Sequence, residues 1–146
     1  MISRNLVSFV GICFSVLVCR GCTSHSPTPR PTDMVGYWTG RINPYAVVKP
    51  KIPSGTTQEI MLRSDGSCRV EGFLLNVRSD LPPRIYGGEG SWRIEQESEG
   101  WFVEITLPLD GYARSDRLSV IWTGKQWELS LQWDDPDNTN EIQFLK

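Results

Sequence analysis

Eight short runs of alternating apolar and polar residues narrow the folds open to this chain more than any other feature. The clearest is QWELSLQW, 126–133. There Trp127, Leu129, Leu131 and Trp133 fall on one side, and Gln126, Glu128, Ser130 and Gln132 on the other. Side chains of a strand point to opposite faces with period two, so such a run is a strand with one buried face. The others are VGYWTGRI (35–42), TTQEIMLR (56–63), SCRVEGFLLN (67–76), EGSWRIEQ (89–96), WFVEITL (101–107), RLSVIWT (117–123) and NEIQFL (140–145). Their expected inward residues include Trp38, Ile60, Leu62, Cys68, Val70, Leu74, Trp92, Ile94, Trp101, Val103, Ile105, Leu107, Leu118, Val120, Trp122, Ile142 and Phe144. Helix-period stretches are absent, and Gly, Pro and Asp interrupt every segment. One apolar face per strand suits an antiparallel sheet that closes or folds on itself. The fold class is therefore all-β. An eight-stranded antiparallel up-and-down barrel is the simplest topology, and a two-sheet β-sandwich is the alternative.

The connections differ in length. SDG, ESEG and the residues around Gly124 make short turns, whereas 43–55, 77–88 and 108–116 read as long loops and DDPDNT as an intermediate one. In a meander, alternate turns lie at opposite ends. One end is thus expected to be closed by tight turns, and the other to carry the long loops, where function tends to sit. The chain would enter at the closed end. Trp101, Trp122 and Trp127 should plug that end. The opposite half should be lined by Gln58, Leu74, Gly90, Leu107, Leu118 and Leu131, with Trp133 at the lip.

The N-terminus concerns location. Arg4 precedes the fourteen-residue apolar run Leu6–Cys19, which ends at Arg20, Gly21 and Cys22 and is followed by the Pro-rich TSHSPTPRP. This is the layout of a secretory signal. The run is short for a membrane span, which needs about 20 apolar residues. Gly21-Cys22 resembles the cleavage and lipidation site of bacterial lipoproteins. The resemblance implies a signal peptide over 1–22, with Cys22 the lipid-attachment residue, a tether over 23–34 and a folded domain over 35–146. Cys19 and Arg20 depart from the usual box, and cleavage by an ordinary signal peptidase or retention as an uncleaved anchor are the alternatives. Thr23 is not the Asp that retains enteric lipoproteins at the inner membrane, which points to the outer membrane or cell surface.

Within the domain, GYWTG places Gly36, Trp38 and Gly40 on one face and resembles the Gly-x-Trp opening of lipocalin-like barrels. The ending DDPDNTNEIQFLK, with SDGSCRVEGF and GEGSWRIE, is similar to small bacterial lipoproteins that carry a lipocalin-like domain of unassigned activity.

The chemistry-bearing residues are few. His25 is the single His and lies in the tether, which removes His-dependent triads and His-rich zinc sites from the domain. Cys68 is left without a partner and reads as a small buried hydrophobe. Without Arg4 and Arg20, thirteen basic residues face seventeen acidic ones, a formal charge of −4, with no basic patch for nucleic acid. Asp134, Asp135, Asp137 and Glu141 lack the glycine and helices of a calcium loop and read as a solvated hairpin tip. Glu71, Glu95, Glu104 and Glu128 fall on outward faces. No cofactor, metal or enzymatic site is expected. The expected role is a membrane-anchored binding module. It would take a small apolar ligand at Leu74, Leu107, Leu118, Leu131, Trp133, Tyr86 and Tyr112. The alternative is a protein-interaction module, an envelope factor or enzyme inhibitor, with no internal cavity.

Overall fold

The computed structural model describes residues 26–45, 55–75, 84–132 and 141–146. A one-turn helix, α1 (Pro31–Met34), leads into eight strands: β1 (Gly36–Ile42), β2 (Gln58–Leu62), β3 (Ser67–Leu75), β4 (Arg84–Glu97), β5 (Gly100–Leu109), β6 (Tyr112–Trp122), β7 (Trp127–Gln132) and β8 (Glu141–Leu145). Each strand pairs antiparallel with its sequence neighbours, and β8 closes onto β1, giving an up-and-down barrel. Closure removes the sheet edges that a sandwich would leave exposed.

Alternation places the core as the sequence implies. Trp38, Ile60, Leu62, Cys68, Val70, Val103, Ile105, Leu118, Leu129, Ile142 and Phe144 are buried, and Trp38 and Phe144 are among the largest fully buried side chains. Gly40 is required here: a Cβ on it would press against the Phe144 ring at 2.6 Å. Filling so small a barrel takes only a few large side chains.

One bulge breaks the alternation. Val70 pairs with Gly88 and Phe73 with Tyr86, so β3 holds one residue more than β4 between these rungs. Gly72 supplies the left-handed backbone, φ +63, and a Cβ there would overlap the Thr57 carbonyl oxygen. Beyond the bulge Phe73 takes the inward position. Leu74 was expected in that row. It is fully buried but shares the alternate face with its pair Ile85.

The short-turn end is closed by a plug. Met34 of α1 is buried, and its carbonyl accepts a 2.8 Å hydrogen bond from Trp38 Nε1. Lys146 Nζ donates to the Asp33 carbonyl at 2.9 Å and lies 5.4 Å from the Trp38 ring centroid. A cation over an indole face adds to that closure. Pro29 is also buried. The expected tether boundary at residue 34 thus moves, because residues 29–34 pack on the domain. Trp122 and Trp127 pair across strands, with ring centroids 5.0 Å apart, at the same end.

Three strands, β4, β5 and β6, extend beyond what the alternation suggests. The expected loop 108–116 is the extension of the β5–β6 hairpin, whose turn is only Asp110-Gly111, with φ +49 and +83. Positive φ at both central residues is the two-residue turn that matches strand twist. Likewise 84–88 is strand rather than loop, because Arg84, Ile85, Tyr86 and Gly88 stay in the ladder with β3.

Candidate functional site

The strand ends that flank 43–57, 76–83, 110–111 and 133–140 all lie at one rim, opposite α1. The connections 43–57, 76–83 and 133–140 therefore share one end with the tight 110–111 turn, as the meander requires.

Below that rim the barrel is full. Leu74, Leu107 and Leu118 have no solvent-exposed surface and Leu131 is buried, so these expected ligand contacts meet protein rather than space. Tyr86 is half-buried, and its hydroxyl donates to the Pro108 carbonyl at 3.2 Å. Tyr112 stands in the open, 78% exposed, on the hairpin tip. Trp133 and Cys22 lie outside the described residues, as do Asp134, Asp135 and Asp137. The rim therefore brings Tyr86 and Tyr112 to neighbouring hairpins, Leu107, Leu118 and Leu131 form the floor beneath them, and Leu74 lies on the other face of β3.

Polar groups also reach the inward side near the rim. Asp116 pairs with the buried Ile105, so its carboxylate faces inward, and no ion pair holds it among the described residues. Burial raises its pKa above the ordinary carboxylate value, and nearby Arg114 only partly offsets this. Gln58 is 4% exposed, and its Oε1 has no hydrogen-bond partner. Such groups normally find one. Neither is evident from the sequence, because the apolar alternation of β6 begins only at Leu118 and Gln58 is a lone polar residue at the start of β2. The alternation of Tyr112, Arg114, Asp116 and Leu118 was present, but polar side chains on the inward row hid it.

The described residues also contain an open fork between β4 and β5. Their ladder runs from Glu97↔Gly100 to Ser91↔Thr106 and stops. The next hydrogen-bonded rung would set Glu89 against Pro108. Proline has no N–H to give, so the rung cannot form. The Pro108 carbonyl is taken instead by Tyr86. Above this point the strands part around a shallow cleft of about 580 Å³, lined by Glu89, Gly90, Ser91, Thr106, Pro108 and Tyr112 among others. Arg84 and Asp110 stand 3.9 Å apart at the two hairpin tips, both exposed. Ile85, 41% exposed, completes the crown. Pro108 inside an otherwise alternating run is the sequence signal for this fork, although in the sequence it opens the expected loop 108–116.

The outer wall holds charges that stabilise the sheet. Arg93 binds Glu104 through both Nε, at 2.6 Å, and Nη2, and reaches Glu95 at 2.9 Å. Arg117 binds Glu97 at 2.5 Å. Glu104 was expected on the open outer face, yet it is buried beneath this network. Arg93–Glu104 and Arg117–Glu97 join different strands, the usual way a sheet face is stabilised, while Arg93–Glu95 lies within β4. Cys68 is buried, and desolvation pushes its thiol up to about 11. A thiol so raised is a poor nucleophile. Among the described residues no group of three or more His, Cys, Asp or Glu could hold a metal.

Comparison of the chain with protein-family models, curated proteins and solved structures finds no match. The functional reading therefore rests on the amino-acid sequence, the fold and the rim geometry.

Proposed function

We propose that this chain is an exported, lipid-anchored module of the bacterial cell envelope that engages a protein partner with the open rim of its barrel. The anchor is Cys22, in the lipoprotein-like Gly21-Cys22 sequence, and the location is the outer membrane or cell surface. The observation that carries the interaction reading is the contrast along the barrel axis. Leu107 and Leu118 are sealed, while Tyr112 and Ile85 stand exposed around an open fork. Exposed aromatics beside Arg84 and Arg114 have the composition of an interface. Entry of the chain at the plugged end directs the rim away from the lipid. The role is non-enzymatic.

A second reading, a small ligand in the barrel mouth, is favoured by Asp116 and Gln58. Such a ligand would be apolar in body, to displace the leucine floor, and would carry one hydrogen-bond donor.

The test uses the full chain in cells that make it. Cys22→Ser should move the protein from the detergent phase to the aqueous phase. Tyr112→Ala with Ile85→Ser should remove a co-purifying partner that Lys125→Ala at the opposite end retains. An unlipidated protein in the aqueous phase before mutation contradicts the anchor. Loss of the partner with Lys125→Ala alone contradicts the rim.

A further inference from the structure

The fork leaves backbone groups unpaired in a pattern that specifies what fits. Trp92 N–H donates to the Gly66 carbonyl at 2.8 Å, on the β3 side. Backbone groups alternate in direction along a strand, so Gly88 and Gly90 also face β3, and Glu89, Gly87 and Ile85 face the other way. The hairpin β5–β6 agrees with this phase, since Leu109 and Tyr112 close a two-residue turn. Within the barrel the outward-directed groups of Ser91 meet Thr106. Above it, those of Glu89 meet Pro108, which offers no N–H and whose carbonyl already accepts a hydrogen bond from Tyr86. Those of Gly87 and Ile85 would meet positions 110 and 112, where the hairpin has already turned. The β4–β5 ladder thus gives Glu89, Gly87 and Ile85 no register partner on β5, and these three residues at two-residue spacing direct their N–H and C=O toward the cleft.

We propose that this β4 edge, Ile85–Glu89, accepts an extended polypeptide segment of the partner by strand addition. The inference rests on the rim interaction proposed above and names its mode. Backbone donors and acceptors about 6.6 Å apart match an extended chain, whose alternate residues repeat at that spacing. Gly87 and Gly88 put no side chain in the way. Tyr86 lies across Gly88, where an added Cβ would meet its hydroxyl at 2.7 Å, so it backs the fork from the inner side. Tyr112 and Ile85 flank the path with apolar surface, which favours a segment with an apolar residue at every second position. Unpaired edges of this kind are normally covered or charged. Here Glu89 is turned aside to Arg63, at 2.8 Å, rather than across the cleft.

The experiment selects binders to the full chain from a phage-displayed library of random seven-residue peptides and resynthesises the best one with N-methyl groups at single positions. Methylation should weaken binding at least tenfold at alternate positions and leave it within about twofold at the others. Bound peptide should slow amide exchange at Ile85, Gly87 and Glu89, and leave Gly88 and Gly90 as they were. Gly87→Pro, which removes a cleft-facing N–H and no β3 bond, should abolish binding while thermal unfolding stays cooperative. A flat N-methyl profile overturns strand addition while leaving a side-chain-mediated rim interface standing. Concentration-dependent dimerisation that protects the same amides, or no peptide selected over the Gly87→Pro protein, also overturns it.

Discussion

Replacing Gly72 with Ala tests how the rim is built. Gly72 sits at φ +63 in the bulge that turns Phe73 inward and starts the upper β3–β4 hairpin. Two costs follow. A side chain in the left-handed region costs about 1–2 kcal/mol. The added Cβ would also fall well inside 3.0 Å of the Thr57 carbonyl oxygen, with Thr56 Cγ2 and Thr57 C close by. That oxygen is backbone, so β2 and β3 must separate or the bulge must relocate, and relocation would expel the fully buried Phe73. Removing a large apolar side chain from a core costs about 3–5 kcal/mol, which bounds the rearrangement. Gly111→Ala supplies the reference, since it has φ +83 with nothing within 4 Å of the added Cβ. Urea unfolding of both variants should place Gly111→Ala about 1–2 kcal/mol below the parent and Gly72→Ala about 3–5 kcal/mol below it. Equal losses would refute the clash and with it the bulge.

Three further outcomes follow from the same geometry. Trp38→Phe strips the Nε1 donor from the buried Met34 carbonyl and should cost about 1–3 kcal/mol, read by thermal unfolding; a neutral change would show that the α1 plug is not seated. Asp116 has a raised folded pKa, so its contribution to stability is full below the unfolded value of 3.8 and is lost as pH rises through the folded value. Asp116→Asn should therefore raise the urea midpoint at pH 7 more than at pH 3, and the same gain at both pH values would contradict the inward placement. Cys68, buried with its thiol near 11, should resist a thiol reagent at pH 8 in the native chain and react at once in urea. Rapid native labelling would show the barrel wall open at β3.

The barrel was legible because one-faced alternation is a strong signal when both the closing strand and its neighbours show it. QWELSLQW and WFVEITL gave their registers directly, and Leu129, Val103 and Ile105 are buried as alternation demands. The plug and the rim were not legible, each for a physical reason. Pro29–Met34 looks like a tether because its prolines and polar residues hide the two buried positions, Pro29 and Met34, and the role of Met34 depends on Trp38 four residues later. The Gly72 bulge shifts register by one residue, and a glycine in an alternating run does not reveal whether it continues or breaks the pattern. Arg114 and Asp116 occupy inward positions with charged side chains, so the upper half of β6 resembled a loop. Pro108 ends a ladder without ending its strand, because only the β4 side needs its missing N–H. The fork thus arises from a residue that sequence patterning treats as punctuation.

Site-specific photo-crosslinking tests the working end of the barrel most directly. A photoreactive residue replaces Tyr112 at the rim or Lys125 in the turn between β6 and β7, in the full chain and in the cells that make it. The account predicts a discrete crosslinked protein from position 112, absent from position 125 and competed by the selected peptide. Crosslinks from position 125 alone would contradict it, as would a position-112 product that the peptide does not displace.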